Sequence, residues 1–223
     1  MPFYVPTEGA DAWRKFLAEP DKQWRDGYSA KSLAECWEDA RGIPTEVGAL
    51  LETIAPAPRL LFALPEHKVA LPGSSRGESQ NDIFAFVRAG PSTVAVMIEG
   101  KVDESFDRQL TDWLRNASPG KIERLSYLAS SLGLDAASIP GTIHYQLLHR
   151  TVSALIEADR YKADAAAMIV HSFSPTRKWF DAFAAFCWLL GIEAEPGRLY
   201  LAKTQTSKPL YLGWASGKPA RPI

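Results

Sequence analysis

At 223 residues, 46% hydrophobic and 23% charged, the chain has the size and composition of one folded domain with elaborations, which excludes wholesale disorder. A net charge of −1 supplies no global field toward nucleic acid or an acidic membrane; this excludes the strongly basic non-specific binder, but not an enzyme that meets nucleic acid in one local groove. The charge is uneven: residues 1–66 carry seven Lys and Arg against eleven Asp and Glu, whereas residues 196–223 hold Arg198, Lys203, Lys208, Lys218 and Arg221 with no acid, either a phosphate-contacting segment or a solvated end.

Residues 1–55 read as helical. Trp13, Phe16 and Leu17 recur at helical spacing over 11–18, and Ser29 is a candidate N-cap for a helix over 30–40 that places Leu33, Cys36 and Trp37 on one face. A third helix over 45–54 carries Val47, Leu50, Leu51 and Ile54 and ends at Pro56 and Pro58. Each is too short to stand alone, so this preface must pack on something else. The period then changes. Segments 59–64 and 68–71 read as two short strands around Pro65, and residues 72–79 as a loop. Segments 82–88 and 93–99, joined through Gly90-Pro91, read as an antiparallel hairpin. Helices follow over 106–114, 122–132 and 143–158. A buried strand is expected over 165–173, an aromatic-rich helix over 177–190, and a last strand pair over 199–203 and 209–214. This order predicts an α/β fold around a mixed sheet, with residues 1–58 as a helical extension packed on a domain spanning 59–223.

Cys36 and Cys187 are too few for a disulfide framework, and both sit in apolar helical patterns as buried thiols. Two Cys and four scattered His exclude Cys₄ and Cys₂His₂ zinc sites. The start of the chain shows no signal-peptide pattern, and no apolar run approaches a membrane span, so a cytoplasmic protein without a membrane partner is expected. No Gly-x-Gly-x-x-Gly, Walker lysine loop or Gly-x-Ser-x-Gly elbow is present.

The informative residues are Asp82 and the triplet Glu99-Gly100-Lys101. Asp82 opens the hairpin, and Glu99 and Lys101 close it. Strand alternation puts Glu99 and Lys101 on one face, and the hairpin returns them toward Asp82. Two carboxylates with the Gly100 carbonyl form a hard oxygen set for Mg²⁺ or Mn²⁺. Such an ion polarises a phosphoryl oxygen and acidifies a bound water. Lys101 can orient that water or stabilise the charge on phosphorus.

Asp82, a β-turn-β unit, Glu99-Gly100-Lys101 and the helices that follow resemble the PD-(D/E)XK nuclease superfamily, also called restriction-endonuclease-like, over roughly residues 60–175. The whole chain also resembles an uncharacterised bacterial group assigned to this fold, a likeness that supplies no activity. The resemblance implies a restriction-endonuclease-like α/β core and metal-dependent hydrolysis of nucleic-acid phosphodiesters, DNA before RNA, by a monomer or a symmetric homodimer. It also implies a polar residue from the helix after the Lys-bearing strand, and Gln146 stands there, four residues before Arg150 and on the same face. The site so read is Asp82, Glu99, Lys101 and Gln146 for catalysis, Asp82, Glu99 and Gly100 for the metal, and Arg76, Gln80 and Arg150 for substrate. Asn81 stands where the superfamily has Pro, and Gly100 where it usually has an apolar residue.

Other readings stay beside this one. Asp82, Glu99 and Lys101 can be a surface ion-pair cluster at a sheet edge. Glu46, Glu52 and Glu78 fit capping and solvation, His171 a satisfied core histidine, and most of the seven tryptophans core packing. A catalytically silent nuclease-fold protein acting as an interaction or defence-associated module is the main alternative. A closed pocket for a different phosphorylated substrate is the third. A groove lined by Arg124, Arg150 and the basic tail favours the enzyme, and a contiguous apolar patch favours the partner.

Overall fold

The computed structural model describes residues 8–73 and 77–218. It is a mixed α/β fold of three layers. Six strands form the middle layer: β1 (Arg59–Ala70), β2 (Glu78–Ala89), β3 (Ser92–Lys101), β4 (Ala165–Ser172), β5 (Leu199–Leu201) and β6 (Leu210–Ser216), in the spatial order β1-β2-β3-β4-β6-β5. The β1–β2, β2–β3 and β5–β6 pairs are antiparallel, and β3–β4 and β4–β6 are parallel. Parallel neighbours require crossovers, and the helices provide them. Two of these are α5 (Pro119–Ser131) and α6 (Tyr145–Arg160), between β3 and β4. A third, α7 (Phe180–Leu189), lies between β4 and β5.

Strand alternation splits the core in two. Phe84, Met97, Met168 and Trp214 face Leu128, Leu148, Val152 and Phe186 of the crossover helices. Ile83, Val96, Ile98 and Ile169 face a layer made by a 3₁₀ segment (Ala10–Phe16), α1 (Pro20–Gln23), α2 (Ser29–Ala40) and α3 (Thr45–Leu51). Trp13, Leu33, Trp37, Val47, Leu50 and Leu51 of that layer are buried against the sheet. The N-terminal helices therefore cover one of the two core clusters, and burial against the sheet stabilises helices too short to form alone.

Several boundaries differ from the sequence reading. Segments 59–64 and 68–71 form one edge strand. It tolerates Pro65 because an edge strand need not donate every amide, and Glu66 within it is left-handed (φ 52°). The helix expected over 106–114 shortens to α4 (Leu110–Trp113), because Asp107 has φ 57° and the following backbone bridges Gln109 to His144. The helix expected from 177 starts at Phe180, after Trp179 at φ 71°. Ser29 is not an N-cap: Tyr28 occupies that position, and the Ser29 amide donates to Glu104 Oε1 at 2.8 Å. Among the described residues no helix is long and apolar enough to cross a membrane.

Candidate active site

The β2–β3 ladder pairs Ile83 with Ile98 and goes no further toward Asp82, while β2 continues along β1 to Glu78. The two strands part at this point, and the gap is where the predicted residues meet. Asp82 Oδ2 accepts the Gly100 amide at 2.7 Å, so a side chain closes the ladder where backbone pairing stops. Amide and carbonyl of one strand residue point to the same side, which also turns the Gly100 carbonyl toward this gap. A Cβ on Gly100 would lie 3.3 Å from both Asp82 Oδ2 and Leu33 Cδ2, so a small residue here lets α2 press on the strand.

Glu99 and Lys101 lie on the face covered by α6 and are almost fully buried. Lys101 Nζ donates to Glu99 Oε1 at 2.6 Å and to Gln146 Oε1 at 3.3 Å, and it sits 4.9 Å from the Phe106 ring centroid. Arg150 Nε donates to Glu99 Oε2 at 2.6 Å, its Nη1 reaches Ser79 Oγ at 3.4 Å, and its Nη2 lies 3.9 Å from Asp82 Oδ1. Gln146 and Arg150, one helical turn apart, thus face the same two carboxylates. Asp82, Glu99, Lys101, Gln146, Arg150 and Gln80 all line one cleft of about 430 Å³.

The structure adds two acids that the sequence reading did not single out. Glu66, turned by its left-handed backbone, lines the same cleft and accepts Gln80 Nε2 at 2.7 Å. Glu104 also lines it, and its second oxygen accepts the Val102 amide at 3.0 Å. A left-handed non-glycine residue inside a strand marks an imposed geometry, but it has no signature in sequence.

The electrostatics divide the carboxylates. Burial, and then repulsion by Glu99, push Asp82 up to about 7. Burial, and then Asp82, push Glu66 up to about 8. Burial acts on Glu99 in the same direction, but Lys101 and Arg150 overcome it and hold its carboxyl below the usual range. One acid is therefore neutralised by two cations, and two acids lack sufficient countercharge.

Other expected residues fall differently. Arg76 lies outside the described residues. Arg124 is buried rather than in a groove, and it donates to the carbonyls of Pro72 (2.9 Å) and Leu71 (3.3 Å). Gln80 and Arg150 reach the cleft, but both are engaged with its carboxylates. His149 contacts Ser79 Oγ at 2.8 Å, and burial followed by the Arg150 and Arg124 charges lowers its pKa well below the ordinary range, so the ring is neutral. Trp13, Trp37 and Trp214 are core residues, whereas Trp188 is 69% exposed.

Away from the cleft, Cys36, Glu46 and His171 place their ligating atoms within 4.8 Å of one another. The hydrogen bonds oppose a metal there. Trp37 Nε1 donates to His171 Nδ1 (3.3 Å), which places the ring proton on Nε2, where Glu46 Oε1 accepts it (2.7 Å). That bond is the first cause of a lowered Glu46 pKa, while burial and Glu46 push the Cys36 thiol up to about 12. This is a satisfied core histidine beside an inert thiol.

The chain matches one family model over residues 6–219, a domain of unknown function designated DUF6946, and belongs to that family. Comparison with curated proteins and with solved structures gave no match.

Proposed function

We propose that the protein is a metal-dependent phosphodiesterase acting on nucleic acid, with a restriction-endonuclease-like core. One observation carries the reading: Asp82, the pair Glu99 and Lys101, and Gln146, from three separate stretches of the sequence, line a single cleft where β2 and β3 part. The donor chemistry fits a hard divalent cation, because the described lining offers carboxylates and no sulfur or imidazole, and the Gly100 carbonyl turns toward the adjoining gap between β2 and β3. Asp82 and the Gly100 carbonyl are the ready ligands. Glu99 joins them by releasing Lys101 or Arg150, since each of its oxygens is already engaged. Mg²⁺ or Mn²⁺ in that place supplies Lewis acidity and a water of lowered pKa.

The chain's own residues do the rest. Lys101, held between Glu99 and Gln146, presents an ammonium to the added negative charge on the phosphoryl oxygens. Gln146 spends its carbonyl on Lys101 and keeps its amide donors for water or a phosphate oxygen. Arg150 fixes the orientation of Glu99 and, through its 3.9 Å approach, of Asp82. The reaction is hydrolysis: water adds to phosphorus, the bond to the leaving oxygen breaks, and the water's protons are shared between that oxygen and solvent.

A second reading has its own observation. Glu99, Lys101 and Arg150 form a buried network in which both Glu99 oxygens are already paired with cations, as a silent nuclease-fold interaction module would retain. Calorimetric titration of Mn²⁺ into wild type and Asp82→Ala separates the two, with hydrolysis of bis(p-nitrophenyl) phosphate and of mixed DNA and RNA measured alongside. Binding and hydrolysis that are both lost in Asp82→Ala are expected. Absence of Mn²⁺ binding to wild type overturns the enzyme reading and leaves the silent module.

A further inference from the structure

One wall of the cleft comes from the N-terminal layer. Opposite Glu99 and α6 the cleft is closed by Leu17, Lys22, Tyr28, Ser29 and Ala30 of that layer. This wall is fixed. Glu104 bridges the Val102 amide, next to Lys101, to the Ser29 amide at the start of α2. Leu33 packs on Gly100, and Trp13 Nε1 donates to Glu38 of α2 at 2.7 Å. Trp13, Leu33 and Trp37, all but fully buried, anchor the same layer in the core. Swinging the wall aside would therefore expose part of the core.

Size and charge follow from that wall. About 430 Å³ is the scale of a small-molecule site, room for one nucleotide. The lining holds Glu66, Asp82, Glu99 and Glu104 against Lys22, Lys101 and Arg150. Lys22 is paired with Glu19, and Lys101 and Arg150 with Glu99. Among the described residues that line the cleft, no surplus of positive charge remains to hold a run of phosphates, which is what duplex binding needs. Tyr28, 40% exposed, offers an aromatic face at the wall on which one base can stack.

Building on the phosphodiesterase reading, we infer that the cleft admits the single-stranded end of a nucleic acid, one nucleotide at a time, and excludes an internal phosphate of a duplex. The scissile phosphate lies at Asp82 and Lys101, and the terminal base lies against Tyr28.

Equilibrium binding tests this separately from turnover. Fluorescence anisotropy is read in Ca²⁺ with three forms of one labelled oligonucleotide: a linear single strand, the same strand ligated into a circle, and a blunt duplex. The linear strand binds about tenfold tighter than either other form, and Tyr28→Ala removes most of that preference, the scale of one lost base stack. Equal or tighter binding of the circle or the duplex overturns the inference, and so does absence of binding by the linear strand. Neither result touches the phosphodiesterase reading, which stands or falls on Mn²⁺ binding and bis(p-nitrophenyl) phosphate hydrolysis. Tyr28→Phe keeps the ring and retains the preference; its loss in both variants would assign the effect to a damaged wall and overturn the stacking role.

Discussion

Glu99 is the residue on which the cleft depends, because two buried cations are balanced on one carboxylate. Breaking a buried ion pair from one side leaves an uncompensated charge and costs about 3–5 kcal/mol. Glu99→Gln is therefore expected to lower unfolding free energy by roughly that amount, measured by urea denaturation. Asp82→Asn removes a charge that the fold already disfavours, so its stability stays near or above wild type. The pH dependence has a direction. Carboxyls raised to about 7 at Asp82 and about 8 at Glu66 stabilise the fold when protonated. Their contribution is complete below their ordinary values of 3.8 and 4.5 and is lost as pH rises through the folded values. Glu99 acts oppositely, its contribution being present above 4.5 and lost only as pH falls below that. Without metal, melting temperature should thus fall between roughly pH 5 and pH 8, and Asp82→Asn should flatten the slope. Mn²⁺ reverses the trend, raising the melting temperature more at pH 8 than at pH 5, because its ligands must be ionised to bind.

At the scale of elements, the hairpin of β2 and β3 was legible because two short apolar runs, a Gly-Pro turn and a terminal acid all speak for the same geometry. Strand alternation and the hairpin could therefore bring Asp82, Glu99 and Lys101 together, whereas Gln146 entered through the likeness to the nuclease superfamily, its four-residue spacing adding only that Arg150 shares its face. Glu66 was not legible. It stands beside Pro65 in a segment that reads as broken, and only the left-handed turn inside one continuous edge strand brings it into the cleft. Glu104 was missed for a related reason: it caps a helix 75 residues away in sequence, and capping rules look only at neighbours. Its role gives a prediction. Glu104→Ala frees the Ser29 and Val102 amides together and is expected to destabilise by about 0.5–2 kcal/mol, the range for a lost cap. Glu104→Gln, which keeps one carbonyl acceptor, recovers part of that loss. Denaturant midpoints of the two variants measure both.

For the whole molecule, the alternation of helical and extended periods announced a mixed sheet between helices. The order β1-β2-β3-β4-β6-β5 did not follow, because pairing partners far apart in sequence leave no local pattern. Residues 1–58 were read as a helical extension packed on the core; α2 and α3 of that segment share one of the two core clusters with the sheet, and the family match runs through both parts. This has a consequence for folding. A chain lacking residues 1–54 would expose Ile83, Val87, Val94, Val96, Ile98 and Ile169 as one apolar face, larger than a monomer tolerates in water. Such a deletion is expected to aggregate rather than yield a smaller folded domain. The intact chain should lose both layers in one transition. Trp13 and Trp37 report on the N-terminal side, and Trp214 on the side of the crossover helices. Fluorescence of variants keeping only one of these groups should trace the same urea midpoint as far-UV circular dichroism. Two separated midpoints would show that the N-terminal layer unfolds first, and that the wall of the cleft can open without loss of the sheet.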